Sequence, residues 1–331
     1  MRVVTEPAEL LPAVAAATRE AQGAFGNGAV FLEKFLVAPR HIEVQVLGDG
    51  EGNAIHLFER ECSLQRRHQK IVEEAPSPSI SAELRAHVCE AGRRAAMAVR
   101  YRGAGTVEFI VGADGSFYFL EMNTRLQVEH PVTELICGVD LVRAQLEVAA
   151  GRGLPWQQGE VQARGHAIEC RIYAEDPASG FLPSVGKLLR FDAPVGPGIR
   201  FDSGFRAGDV ITPHYDPMLA KLCAYGATRR EATERMLAAL ADCVVQGVRS
   251  NVGFLAELLA TDAFESAAFH TRWVDETYAQ WQAPSHDAAW LAAALGELEA
   301  QPAGAGAAAP PEAPNRDPFL LLRGFAMGGH R

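Results

Sequence analysis

The chain has 331 residues, long enough for two domains of ordinary size, and its apolar content can fill more than one core. A net charge of -10 argues against nucleic acid and anionic membrane surfaces as partners, while local basic groups can still meet a small phosphorylated ligand. Six cysteines without a CxxC pair suggest neither a zinc ribbon nor a disulfide framework, and with no signal-like segment after Met1 and no apolar run of membrane-spanning length the expected setting is the cytoplasm.

Residues 6–23 have helical periodicity behind Thr5, which is placed to cap a helix with an acid in its first turn. Residues 42–47 alternate strictly, 48–53 supply turn residues and 54–58 run on as a second strand, which predicts a hairpin. After a polar segment, an Ala/Arg-rich helix is expected over 82–100, then a second hairpin from strands 106–111 and 117–122 about the turn 112–116. Residues 139–150 read as a helix ending at Gly151, and the Gly/Pro/Trp stretch 151–160 as a domain boundary, with a second unit from near Val161. That unit should hold strands at 165–172 and 186–191, a helix over 229–242 that starts with the capping-box pair Thr228 and Glu231, and a further helix from near Asn251. Past Trp281, an Ala-rich helix over 287–300 and an Ala/Pro/Gly linker over 302–314 precede an apolar stub, read as the edge of another module. The expected layout is thus 1–150, 161–275, a helix and linker over 282–315, and the start of a further module over 316–331. No repeat of solenoid period is visible.

Chemistry enters at the second hairpin. Glu108 and Glu121 lie at nearly equal distances from its turn and should face each other across two apolar strands. Two like charges so placed destabilise a sheet unless a cation lies between them or one takes up a proton. If the chain stays extended, Glu121, Asn123, Arg125, Gln127 and Glu129 share one face, and Met122, Leu126 and Val128 the other. Glu108, Glu121 and Asn123 offer oxygen ligands only, a set suited to Mg2+ or Mn2+ bridging substrate phosphates. An arbitrary polar alternation is more often a solvated face; this mix, directly after Phe-Tyr-Phe-Leu and opposite an isolated carboxylate, favours a site. Lysine occurs only at Lys34, Lys70, Lys187 and Lys221 in an arginine-rich chain, so Lys34 and Lys70 are candidates for places that need a compact ammonium. In the run 65–70, His68 and Lys70 share a face if extended and could hold polyphosphate or a small anion, although a short basic run is usually a solvated loop. Glu33 and Lys34, with His41, are a weaker signal, since an isolated Glu-Lys pair is most often a surface ion pair. GxxxxGK[ST], GxGxxG and HExxH are absent, so P-loop and dinucleotide-binding readings fail.

Together these residues resemble the biotin carboxylase branch of the ATP-grasp enzymes. The resemblance rests on residues 33–36, 39–45, 60–70, 101–109, 121–132 and 165–171, continues through 181–184 and 215–221, and covers residues 1 to about 275. It implies an α+β fold, in which the C-terminal portion of an ATP-grasp domain, an antiparallel sheet with flanking helices, precedes a biotin carboxylase C-terminal domain. It also implies a two-step reaction: ATP activates bicarbonate as carboxyphosphate, and the carboxyl group passes to N1 of biotin. By this resemblance Glu33, Lys34, Phe35 and Leu36 would contact adenine, and His41, Gln65 and His68 the rest of ATP. Glu108, Glu121 and Asn123 would hold Mg2+ or Mn2+. Glu129 would deprotonate bicarbonate, Arg125 would stabilise the enolate form of biotin, and Lys70, Arg125, Gln127 and the backbone at Val128 would hold bicarbonate. Arg171 would receive biotin or the carboxyphosphate fragment.

Family members have a further N-terminal domain and a Gly-rich phosphate loop before the segment that Met1 begins, so the resemblance leads to the expectation that this polypeptide alone is weakly active or inactive. No Ala-Met-Lys-Met-type site and no carboxyltransferase are recognisable. Biotin is therefore expected as a carried substrate, and the implied partners are a biotin carboxyl carrier domain, a carboxyltransferase subunit and a second copy of the chain, as in the alpha subunits of acyl-CoA carboxylases. Two readings compete: another ATP-grasp ligase, which need not have Arg125, Glu129 and Arg171 together, and a non-catalytic remnant or assembly subunit.

Overall fold

The structure is a computed structural model whose described residues are 1–282; the Ala-rich helix, the linker and the terminal module expected from 287 onward lie outside them. In chain order the elements are α1 (Leu10–Phe25), β1 (Arg40–Asp49), β2 (Ala54–Arg66), β3 (Gln69–Ala75), α2 (Ala82–Ala98), β4 (Arg102–Val111), β5 (Phe117–Asn123), α3 (His130–Cys137), α4 (Leu141–Ala149), β6 (His166–Tyr173), β7 (Ile199–Ser203), β8 (Met218–Gly226), α5 (Arg229–Asp242), α6 (Val252–Leu259), α7 (Asp262–Glu265) and α8 (Trp273–Thr277). The eight strands form one antiparallel sheet in the order β7-β8-β6-β3-β2-β1-β4-β5. Both expected hairpins are present, as β1 with β2 and β4 with β5. Among the described residues no helix is long and apolar enough to cross a membrane.

Two helical layers cover the sheet's apolar surfaces. Val88, Cys89 and Ala96 of α2 pack on Ile42, Val44 and Val46 of β1 and on Val107 and Phe109 of β4. The helix lies so close that a Cβ on Gly92 would stand 2.8 Å from Val44 Cβ, too near for any side chain at that position. In the other half, Met236 and Leu240 of α5 and Phe254, Leu255 and Leu258 of α6 pack on Ile168, Cys170 and Ile172 of β6 and Leu222 of β8. The stretch 151–160 does not interrupt the sheet, because β3 pairs directly with β6, Val72 opposite Cys170 and Glu73 opposite Glu169. All six cysteines are free thiols, five of them buried and Cys137 half-buried.

Local signals were realised unevenly. Thr5 does not cap α1, which follows a single 3-10 turn over Pro7–Glu9 and has no side-chain cap; the Thr5 backbone instead donates to Glu9 Oε2 at 3.4 Å. Thr228 does cap α5, accepting from Glu231 N at 3.2 Å, while the Glu231 carboxylate reaches back one residue further, to Ala227 N at 2.7 Å. The strand expected at 186–191 is split: Gly186–Lys187 pairs with Val210–Ile211, and Arg190–Asp192 with Val244–Gln246. The polar segment after residue 58 contains most of β2 and all of β3, and α3 follows β5 unannounced.

The part of β2 beyond residue 58 and all of β3 escape a pattern search because both faces of this part of the sheet are buried, and one of those faces is polar. Register partners Arg60, Glu43, Glu108 and Glu121 form a row across β2, β1, β4 and β5. Arg60 is fully buried and places all its donors inside: Nε on Glu43 Oε1 at 2.5 Å, Nη1 on Gln45 at 2.7 Å and Thr133 at 2.9 Å, Nη2 on Thr106 and Gln127 at 3.2 Å each. Burial would push the Glu43 carboxyl up, but Arg60 and Lys70 outweigh it and bring it from 4.5 down to about 2.

Arg60→Leu is therefore expected to destabilise the fold by about 3–5 kcal/mol, because it leaves Glu43 with Lys70 as its one cation among the described residues and takes the buried donor from Gln45, Thr106, Gln127 and Thr133, and Arg60→Lys to recover little, because an ammonium lacks the fork. Urea midpoints check both. Since the folded pKa of Glu43 lies below its unfolded value, its stabilising contribution is complete above about pH 4.5 and is lost as pH falls through about 2. Glu43→Gln should be less stable at neutral pH and should show a flatter fall in urea midpoint across that acid range.

Candidate active site

A cleft of about 980 Å³ opens over the polar face of β1, β3, β4 and β6, and every residue singled out in the sequence lines it. The segment 33–36 and the exposed rings of Tyr118 and Phe119 form one wall, where Lys34 Nζ donates to Tyr118 Oη at 2.7 Å. Lys70, Glu129 and Arg171 form the deep end.

Lys70 is the centre of that end. At the start of β3 it turns inward and its ammonium donates to Glu43 Oε2 at 2.5 Å, Glu129 Oε1 at 2.7 Å and Glu108 Oε1 at 2.9 Å. Burial alone would lower its pKa, but Glu43, Glu129 and Glu108 together hold it well above the ordinary lysine value. Burial pushes Glu108 up, and His41 and Lys70 more than reverse this, so its carboxyl lies far below the usual range. Glu129 is the residue before α3; rather than capping the helix it turns its carboxylate into the cleft, with Oε2 accepting from Arg171 Nη2 at 2.9 Å. Arg171 Nε in turn donates to Glu73 Oε1 at 2.7 Å.

The carboxylate ladder is present, with a changed path. Glu108 and Glu121 are register partners, but Phe109 pairs with Phe119, so Leu120 is an extra residue in β5. The strand ends at Asn123, and the extended course expected to residue 129 gives way to an irregular turn into α3. Gln127 nevertheless reaches Glu108 Oε1 at 2.8 Å, because the turn folds back beneath the sheet instead of continuing it. Arg125 is exposed at the rim, where among the described residues it donates only to Leu126 O at 3.4 Å. The Val128 carbonyl accepts from Lys221 Nζ at 2.8 Å, which fixes the backbone ahead of Glu129.

Glu108, Glu121 and Asn123 fit a divalent cation by their chemistry. Asn123 Nδ2 lies between the two carboxylates, 3.0 Å from Glu108 Oε1 and 3.2 Å from Glu121 Oε1, so a donor already stands where positive charge is wanted. Turning the amide over brings its oxygen to the same place and completes an all-oxygen set.

His68 does not share a strand face with Lys70. It lies in the turn before β3, where Arg67 and His68 both have positive φ, 48° and 66°. Side chains in that region are strained by roughly 1–2 kcal/mol each, and Asp275 of α8 steadies the turn by accepting from Arg67 N at 3.1 and 3.2 Å. His41 is buried between Gln65 Nε2, 2.7 Å from its Nδ1, and Glu108 Oε2, 2.8 Å from its Nε2. Glu43, Arg60, Glu73, Lys221 and Asp275 were not singled out in the sequence. Glu43, Arg60 and Lys221 lie in segments that carry the resemblance but had no role there, Glu43 as a charge in a strictly alternating strand whose buried face nothing showed.

The family described as "Carbamoyl-phosphate synthase L chain, ATP binding domain" matches residues 1–157, and "Biotin carboxylase C-terminal domain" matches residues 169–276. The mitochondrial methylcrotonoyl-CoA carboxylase subunit alpha of Oryza sativa is 47% identical over 304 residues, 89% of this chain and 41% of that protein. The biotin carboxylase of Allochromatium vinosum is 49% identical over 83% of this chain and 61% of its own length, so the chain spans between about two fifths and three fifths of these relatives. Among solved structures, the biotin carboxylase domain of a thermophilic 2-oxoglutarate carboxylase bound to bicarbonate superposes with a TM-score of 0.81 at 44% identity, covering 83% of this chain and 62% of that one. The corresponding domain dimer from Hydrogenobacter thermophilus, in complex with MgADP, ADP and bicarbonate, gives 0.78 at 43% identity, covering 86% and 63%. With both domain types matched in order along one continuous sheet, the chain belongs to the biotin carboxylase family of ATP-dependent ligases.

Proposed function

We propose that the chain provides the metal, bicarbonate and biotin side of an ATP-dependent biotin carboxylation site, within the alpha subunit of an acyl-CoA carboxylase. The observation that carries this reading is Glu129, a buried carboxylate held between the ammonium of Lys70 and the guanidinium of Arg171 at 2.7 and 2.9 Å. A base flanked by two cations suits an anionic substrate: Lys70 and Arg171 attract bicarbonate, and Glu129 takes its proton. The freed oxygen attacks the γ-phosphorus of ATP, forming carboxyphosphate and releasing ADP. A divalent ion held by Glu108, Glu121 and Asn123 supplies charge neutralisation on the phosphates.

The rim guanidinium of Arg125 lines the cleft with its charge unspent on other side chains among the described residues, which suits it to the enolate oxygen that develops on biotin as N1 attacks. Glu33 to Leu36 and His41, Gln65 and His68 take the nucleotide. The acyl-CoA reading is supported by the similarity to alpha subunits of methylcrotonoyl-CoA carboxylases, 47% identity over 304 residues for that of rice. A carrier domain presenting biotin, a carboxyltransferase and a second copy of the chain are the partners this role requires.

ATP cleavage that depends on both bicarbonate and biotin is the assay. Glu129→Gln should lower it by at least about 100-fold, the contribution of a general base, while Mg-ATP still raises the melting temperature. Cleavage undiminished in Glu129→Gln would sink the reading. Asp275→Ala should free the 67–68 turn and weaken ATP binding about fivefold, in proportion to the strain it releases. Adding Arg67→Gly to that variant should recover part of the loss, since glycine accepts positive φ freely.

A further inference from the structure

The strands that join the two halves of the sheet bring two acids face to face. Glu73 of β3 and Glu169 of β6 are register partners, with 1% and 0% of their surface exposed. Residues directly opposite on antiparallel strands send their side chains to one face with Cβ atoms about 5 Å apart. Glu73 Oε1 accepts from Arg171, and Glu169 Oε2 accepts from the Cys223 thiol at 3.3 Å. The other oxygens, Glu73 Oε2 and Glu169 Oε1, are both buried and, among the described residues, both without a donor.

The cations nearby are committed elsewhere. Arg171 bridges Glu73 and Glu129, Lys70 serves Glu43, Glu108 and Glu129, and Lys221 donates to Val128 O. Two facing acceptors closed off from water cost free energy unless something between them donates. A single proton satisfies both. Arg171 decides where it rests, since the guanidinium favours charge on Glu73 and leaves Glu169 as the acid.

We propose that Glu169 is kept as a neutral acid that donates to Glu73, so that Glu73 holds one negative charge and keeps Arg171 aligned on Glu129. Glu169 is then a positioning residue, separated from the base by Glu73 and Arg171. Burial and the neighbouring Glu73 push the Glu169 carboxyl well above its ordinary range, with Lys221 and Arg171 opposing less strongly. Burial likewise keeps Cys223 a thiol, able to donate. Because the folded pKa is raised, the contribution to stability is complete below the unfolded value and is lost as pH rises through the folded one. At alkaline pH a second charge beside Glu73 draws Arg171 away from Glu129. The catalytic consequence rests on the reading of Glu129 as base; the protonation of the pair does not.

Infrared spectra of the folded chain at neutral pH provide the direct test. The difference between the native chain and Glu169→Gln should contain the carbonyl band of a protonated carboxylic acid, lost from the native chain on raising the pH. Its absence, as for two ionised carboxylates bridged by water, overturns the proposal whether or not the chain turns over. The second readout is the pH profile of biotin-dependent ATP cleavage. Glu169→Gln, whose amide still donates to Glu73, should exceed Glu169→Ala at least tenfold at neutral pH and lack the alkaline fall of the native chain. An alkaline fall that persists unchanged in Glu169→Gln overturns the positioning role. The band present with cleavage undiminished in Glu129→Gln leaves the pair standing and removes the proposed function instead.

Discussion

Three carboxylates around one ammonium set the terms for the rest of this structure. Lys70 is held by Glu43, Glu108 and Glu129, each of which has a second cationic or hydrogen-bonding neighbour, so charge alternates from Arg60 through Glu43, Lys70 and Glu129 to Arg171 and Glu73. Taking any one of these ions out of water costs several kcal/mol, and only its neighbours offset that cost. The members come from β1, β2, β3, β4, β6 and the residue before α3. No subset of strands can bury its share of the charges alone, which ties the strands of the two family-matched segments to a single sheet.

The same alternation prepares the cleft for chemistry. Glu129 and Arg171 are not mobile side chains waiting for a ligand; each is already fixed from behind, Glu129 by Lys70 and Arg171 by Glu73. Preorganised charges of this kind need little rearrangement when an anion arrives, and their fields are stronger in a site from which water is largely excluded. Arg125 and the 67–68 turn lie at the exposed rim instead.

The sequence announced those parts of the fold in which one face is apolar and the other is not. The hairpins, α2, α5 and α6 follow from alternation, helical period and the cap at Thr228. β3 was hidden because Glu73 and Glu74 are buried polar residues, and polarity in a sequence is ordinarily a sign of exposure. The opposition of Glu108 and Glu121 was legible from their distance to a turn, whereas the convergence of Gln127 and Glu129 was not, since it depends on an irregular turn after Asn123. Arg60, the largest of the fully buried side chains among the described residues, stood in the sequence as one arginine among many.

The free thiols have a use that concerns measurement more than mechanism. Cys62, Cys170 and Cys223 lie within the sheet, and burial keeps each of their pKa values far above the ordinary one, so almost no thiolate is present to react. Alkylating reagents will therefore modify these positions only when the surrounding strands separate. Cys62 belongs to β2, Cys170 to β6 and Cys223 to β8, which makes their individual labelling rates three local clocks for opening in different parts of one sheet.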